Sequence, residues 1–215
     1  MGVDECRVQI GALIRSYGLT RYLPFVLKSY DWVDKIVVMN CRFKGVKDFK
    51  DNTPEIAKDK AVVIQKDWLN QHEVLNTGLD EFKGFDYIFI ADNDELLTKI
   101  DQQRILEEAK GHNAACCNVL DYARDFNHIF PMRGHRPVVL VNSDVRFYDV
   151  RCSMGGHKFV NVFLHHFGYV HPKEDLDWKF DWEKPWEHDE TIRIFSQIPK
   201  LYEMPEEIRE MLCVD

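Results

Sequence analysis

Within "YIFIADNDELL" (87–97), Asp92, Asp94 and Glu95 place three carboxyl groups in four positions behind a run of apolar residues. Asp92 and Asp94 are two residues apart, so on an extended chain they project from one side. Carboxylates held that close repel, and each is pushed toward protonation unless a cation answers it. A hard divalent ion is one such cation, because Mg²⁺ or Mn²⁺ takes carboxylate oxygens together with the phosphate oxygens of a substrate. A solvated turn is the competing reading, with Asp94 and Glu95 in the first turn of a following helix, where the dipole favours acids.

A second group lies in "NVFLHHFGYVHP" (161–172), which sets His165 beside His166 in an apolar run. Neighbouring side chains of a strand point to opposite faces, so one imidazole can enter a cleft while the other packs beneath it. A lone buried histidine is more often a satisfied core residue than a ligand; an adjacent pair in the same chain as an acidic strand end points toward the ligand role. Asp121, Asp125 and His157 are of the types that can take a proton from a hydroxyl, each with a surface or turn role as the alternative. Trp178, Trp182 and Trp186 recur every four residues, a helical stripe for which core packing is the default and a lid over a ligand the lesser reading, and Pro185 limits that helix.

The elements that must position these groups alternate over the first half of the chain. "RVQIGALI" (7–14), "DKIVVMN" (34–40), "AVVIQKD" (61–67) and "DYIFIADND" (86–94) predict strands. A helix is expected over 20–33 with Leu23, Val26, Leu27 and Tyr30 on one face, and a polar loop around Asn52, Thr53 and Pro54. Another helix over 70–82 opens with a capping box, Asn70 and Glu73, buries Val74, Leu75, Leu79 and Phe82, and is weakened by Gly78. Thr98 and Asp101 cap a further helix over 99–110, which Gly111 closes. Beyond residue 113 the strands lose their intervening helices, so the second half is expected to be mixed or antiparallel. Strand–helix alternation predicts an α/β fold with a mainly parallel sheet, whose ligands bind at the carboxyl ends of the strands. The acidic motif ends such a strand.

Composition sets limits on function. A chain of 215 residues with 45% hydrophobic content is long enough for one large core, and no linker divides it, so residues 1–215 are expected to form one domain. Residues 1–112 carry the strand–helix alternation and 113–215 the mixed half. A formal charge of -8 argues against nucleic acid as a partner, since backbone binding needs a basic face. Six scattered cysteines lack zinc-ligand spacing and suggest buried free thiols. With acids ahead of the first apolar run and no apolar stretch of membrane-spanning length, no integral membrane segment and a cytoplasmic location are expected.

"ALIRSYGLTRYLPFVLKSYDWVDKIVVMN", "EVLNTGLDEFKGFDYIFIADNDELL" and "LHHFGYVHP", with Lys179 shortly after, together resemble the family 2-like glycosyltransferases of the GT-A fold over roughly residues 7–180. That resemblance implies a metal-dependent glycosyltransferase using Mn²⁺ or Mg²⁺ and a nucleotide-sugar donor, UDP-sugar favoured, with a glycan, lipid or protein as acceptor, residues 1–112 being its nucleotide-binding half and 113–215 the half that completes the acceptor and metal sites. It implies Asp92 at the ribose or the metal, Asp94 on the metal, and His166, with His165 second, as a further ligand. Ile14, Arg15 and Ser16 would border the base and ribose, with Asn40, Asn76 and Asn93 also near the nucleotide, and Asp121 or His157 would act in catalysis. The chain departs from the family in reading "RSYG" where many members carry an asparagine–glutamate pair, in Asn40 at the place of a base-reading acid, and in lacking an "E-D" pair for the catalytic base. Two alternatives stand beside it: a haloacid dehalogenase-like phosphatase with Asp92 as nucleophile, although Leu96 fills that motif's Thr/Val position, and a non-catalytic sugar-nucleotide-binding domain.

Overall fold

The structure is a computed structural model that describes residues 7–43, 51–123, 125–130, 134–149, 151–153, 156–177 and 200–212. The tryptophan stripe and Lys179 lie outside the described residues. The first half follows the expected alternation: β1 (Ile10–Ser16), α1 (Leu23–Ser29), β2 (Lys35–Phe43), α2 (Thr53–Ala57), β3 (Val62–Trp68), α3 (Gln71–Asp80), β4 (Tyr87–Asp92), β5 (Glu95–Leu96) and α4 (Lys99–Glu108). Short strands dominate the rest: β6 (Ala114–Ala123), β7 (His128–Ile129), β8 (Val138–Val141), β9 (Phe147–Asp149), β10 (Cys152–Ser153), β11 (Lys158–Tyr169) and β12 (Lys200–Leu201), then α5 (Glu206–Leu212).

The sheet order is β12-β7-β6-β8-β4-β1-β2-β3, with β11 beside β6 and β5 beside β11. β1 pairs in parallel with β2 and β4, β2 with β3, and β11 with β6. Only β8, antiparallel to both β4 and β6, separates those two, so β6 and β11 run in the direction of β1 to β4. The long strands therefore end along one carboxyl edge, as the mainly parallel α/β reading requires, and the second half is mixed. Among the described residues no helix is long and apolar enough to cross a membrane.

Local chemistry explains most boundaries. Asn70 accepts from the Glu73 amide at 2.9 Å, and the Glu73 carboxylate turns back to the Leu69 amide at 3.0 Å, one residue earlier than a strict capping box. Thr98 Oγ1 accepts from the Asp101 amide at 3.1 Å, as expected of its cap. The α1 face Leu23, Val26, Leu27 and Tyr30 is buried, as are Val74, Leu75, Leu79 and Phe82. Gly78 does more than weaken α3: a Cβ there would stand 2.4 Å from Leu13 Cδ1, so the glycine lets the helix lie close on β1.

Three expectations need correction. The loop around Asn52, Thr53 and Pro54 contains α2, whose first turn accommodates Pro54 because that amide has no helical partner. Glu95 opens no helix: it lies in β5, drawn into the sheet by its pairing with β11. "PVVLVNSDVRFYDV" splits into β8 and β9 at a turn where Asn142 Oδ1 accepts from the Asp144 amide. Cys41, Cys116 and Cys117 are buried free thiols.

Candidate active site at the carboxyl edge

Register brings the candidate residues together. Arg15 is the β1 partner of Asp92, and the same edge receives Asp121 of β6, which pairs with His166 of β11. The acidic turn is stitched to β11 through the Glu95–His166 pairing and a 2.8 Å bond from the Phe167 amide to the Asp94 carbonyl. Asp94, in the turn between β4 and β5, thus meets His166 of β11 and Asp121 of β6.

Two arginines answer most of the repulsion in the acidic turn. Arg15, 2% exposed, donates from Nε and Nη2 to both oxygens of Asp92 at 2.7 and 2.8 Å, and from Nη1 to Gln71 Oε1 at 2.8 Å. Burial opposes the Arg15 charge, but Asp92 and Tyr17 outweigh it and raise its pKa above the ordinary value. Arg151 enters between β9 and β10, with Nη1 2.5 and 2.6 Å from the oxygens of Glu95 and Nη2 donating to the Ile90 carbonyl at 2.7 Å. Glu95 Oε2 also accepts from the Asp92 amide at 2.8 Å. Burial pushes Glu95 toward protonation and Arg151 pulls it back, with a net upward shift. The backbone of Arg151 sits at φ 48°, a left-handed conformation that costs a non-glycine residue about 1 kcal/mol.

With Asp92 and Glu95 each matched to an arginine, Asp94 is the acid of the turn that faces histidine. Its Oδ2 lies 3.7 Å from His166 Nε2, and His166 Nδ1 is 2.6 Å from Asp121 Oδ1. An aspartate carboxylate can only accept, so Nδ1 carries the proton, and Nε2 faces Asp94 either as a second donor or, with a cation between them, as a lone pair. A carboxylate behind the far nitrogen of a ligating imidazole is the usual way proteins orient such a ligand. One carboxylate and one imidazole are donors a divalent cation accepts, and no group of three or more such side chains able to hold a metal ion occurs among the described residues.

His165 takes the opposite face. It is buried, its Nδ1 2.8 Å from the Tyr122 hydroxyl, and the two rings are stacked. Burial lowers its pKa to about 4. The unfolded chain therefore binds a proton on this ring near pH 6.5 that the folded chain refuses, so stability is lost as pH falls from about 6.5 toward about 4. Between pH 7 and pH 5 the wild type is expected to lose about 2 kcal/mol more than His165→Gln, read from paired denaturant titrations. Equal losses in the two proteins would show that the ring is not held neutral.

Most of the other candidates are bonded to neighbouring groups or buried in the core. Ile14 is a fully buried core residue, and the Ser16 hydroxyl is bonded to Thr53 Oγ1 at 2.6 Å. Asn40 donates to Asp51 Oδ2 at 2.6 Å while its carbonyl accepts from the Trp68 indole, and Asn93 donates to the Leu19 carbonyl at 2.6 Å. Asn76 uses both ends of its amide on the backbone of Phe147. His157 is exposed just ahead of β11, roughly 30 Å along the strand from His166 at 3.3 Å per residue.

Comparison with known proteins adds little beyond chain arrangement. No protein-family model matches the chain, and no curated protein does. Among solved structures it is similar to a 4-diphosphocytidyl-2C-methyl-D-erythritol synthase, at 18% identity, 65% of this chain, 77% of that one and a TM-score of 0.46. It is similar to S. aureus TarS at 11% identity over 79% of this chain and 38% of that one, with a TM-score of 0.48. A third, named as a nucleotide-diphospho-sugar transferase from Desulfovibrio desulfuricans G20, gives 9% identity, 86% and 91% coverage and a TM-score of 0.44. The chain thus spans well under two thirds of the TarS chain. At these identities and TM-scores the likenesses decide nothing about this chain's side chains or activity.

Arg151 carries no role in the sequence reading and Glu95 figures there only as one acid of the cluster, yet the two form a buried ion pair in the turn. A sequence signal did exist for the neighbouring pair: Arg15 interrupts an apolar strand, and a buried guanidinium needs a carboxylate.

Proposed function

We propose that this edge binds a nucleoside-diphosphate sugar through a divalent cation, Mn²⁺ or Mg²⁺, and transfers the sugar to an acceptor hydroxyl. The observation that carries the reading is the Asp94–His166–Asp121 line, with 3.7 Å between the carboxylate and Nε2 and 2.6 Å between Nδ1 and Asp121. Asp94 and His166 would hold the cation, which as a Lewis acid stabilises charge on the departing diphosphate. Asp121 keeps the imidazole in the ligating tautomer. Asp92, fixed by Arg15, retains lone pairs that can accept from a ribose hydroxyl. The two arginines neutralise Asp92 and Glu95, so the binding charge is concentrated on Asp94.

The phosphatase alternative asks Asp92 to attack phosphorus, and Arg15 engages both of its oxygens. That pairing favours a supporting role for Asp92.

The reading is tested by thermal unfolding with UDP, GDP and CDP, each with Mn²⁺ and with a chelator, because a ligand of the folded state alone raises its stability. At least one nucleotide should stabilise the protein in Mn²⁺ and lose that effect in chelator. Stabilisation unaffected by chelator would remove the metal from the account. Asp121→Asn should weaken Mn²⁺-dependent binding about 10- to 100-fold, the usual cost of losing the carboxylate behind a ligating histidine. Unchanged Mn²⁺ affinity in that variant would leave Asp121 without a part in metal binding.

A further inference from the structure

The sequence shows no acid pair for the base that an inverting transfer needs, and the fold offers a different group. His128 Nδ1 lies 2.7 Å from Asp125 Oδ1, which also accepts from the Asn127 amide at 2.8 Å. Asp125 is exposed and His128 about one-third exposed, so this imidazole meets solvent while a carboxylate holds its inner nitrogen. The second nitrogen, Nε2, is then the proton-accepting position.

Strand register places the dyad on the side of the candidate site. Tyr122 pairs with Ile129, so Ala123 and His128 are the next cross-strand neighbours along β6 and β7. Side chains alternate between faces, and directly opposite residues share one. Tyr122 stacks on Phe167 and bonds to His165, which marks the buried face. Asp121, Ala123 and His128 belong to the other face, that of His166. Packing agrees, since Phe130, two residues from His128, meets Tyr169, and Tyr169 also meets the His166 ring. Two strand spacings and two residue rises separate His128 from His166, roughly 12 Å between backbones. A sugar ring on a metal-bound diphosphate, with an acceptor hydroxyl beyond it, spans such a gap. Among the described residues, pairing and register bring Asp125, Asp121 two positions along on β6, and Lys200, next to the β12 partner Leu201, toward His128.

We infer that His128 is the catalytic base of an inverting glycosyl transfer, with Asp125 as the residue that orients it; the inference rests on the donor-binding reading above. In the step, Nε2 takes the proton of the acceptor hydroxyl, whose oxygen lone pair forms the new bond to the anomeric carbon from the side opposite the diphosphate. The bond from that carbon to the diphosphate oxygen breaks, and its electron pair leaves with the nucleoside diphosphate. Asp125 stabilises the imidazolium until it releases its proton to solvent.

The test uses the full chain with Mn²⁺ and a panel of UDP-, GDP- and CDP-hexoses, reading nucleoside diphosphate released to water or to an added monosaccharide. His128→Gln, which keeps a donor for Asp125, should lower the rate about 100-fold or more with nucleotide affinity unchanged. His128→Ala should regain rate in added imidazole, which a merely structural side chain would not allow. A wild-type chain without Mn²⁺-dependent nucleotide binding overturns the parent reading and the base with it. Binding without release from any donor overturns the base and leaves the binding site standing. Turnover that survives His128→Gln within about twofold overturns the base alone.

Discussion

Asp94→Ala is expected to abolish Mn²⁺-dependent nucleotide binding while leaving the fold in place. Asp92 and Glu95 are occupied by Arg15 and Arg151, so neither can replace Asp94 without breaking a buried ion pair. The loss should be at least about 100-fold in affinity, near 2.8 kcal/mol. In thermal unfolding, a nucleotide concentration that stabilises the wild type by about 2.7 kcal/mol should leave the variant unmoved. The unliganded variant should unfold near the wild-type temperature, because the turn is held by backbone bonds from Phe167 to Asp94 and from Asn93 to Arg15. Calorimetric titration of UDP in Mn²⁺ checks the first part, and affinity within threefold of wild type would end the metal assignment.

Arg151→Met should be the most damaging single change to stability, by about 3–5 kcal/mol at neutral pH, the usual cost of stranding a buried charge. The side chain is 4% exposed and Glu95 6%, so the carboxylate left behind has no water to turn to. Burial already raises the Glu95 pKa, and losing Arg151 raises it further. A carboxyl raised in the folded state destabilises above its unfolded pKa: the penalty is full above the folded pKa, shrinks as pH falls below it, and is gone below the unfolded one. The deficit of Arg151→Met should therefore shrink on acidification, and Arg151→Met with Glu95→Gln should recover much of the loss at pH 7. Denaturant titrations of the four proteins in that cycle at two pH values decide the matter; a single-variant loss below about 1 kcal/mol would mean the pair is not the anchor of the turn. The network is not fully satisfied, since Arg151 Nε and the Tyr30 hydroxyl have no hydrogen-bond partner among the described residues.

The parts of the fold that the sequence disclosed are those where periodicity and burial coincide. β1, β2 and β4 are near-continuous apolar runs, and α1 and α3 carry single buried stripes, so pattern alone locates them. α2 spans five residues and begins with proline, too short for a stripe, and β7 is two residues long. β5 is hidden because its glutamate and the acid before it resemble a helix start; only pairing with β11 makes it a strand. The site divides similarly. Asp94 and His166 are legible because their residue types are rare in apolar strands. The partners of Asp92 and Glu95 are not, because they stand 77 and 56 residues away in sequence and meet only through register and the β9–β10 connection. The repulsion in "ADNDE" predicted a cation, and for two of its three acids that cation is arginine.

The most direct test of the central claim is pulsed electron paramagnetic resonance of Mn²⁺ bound to the protein with UDP. If Asp94 and His166 hold the ion against a diphosphate, the spectrum will show coupling to one imidazole nitrogen and to phosphorus, with the nitrogen coupling lost in His166→Gln and retained in His165→Gln. Phosphorus coupling without nitrogen, or nitrogen coupling that survives His166→Gln, would contradict the account.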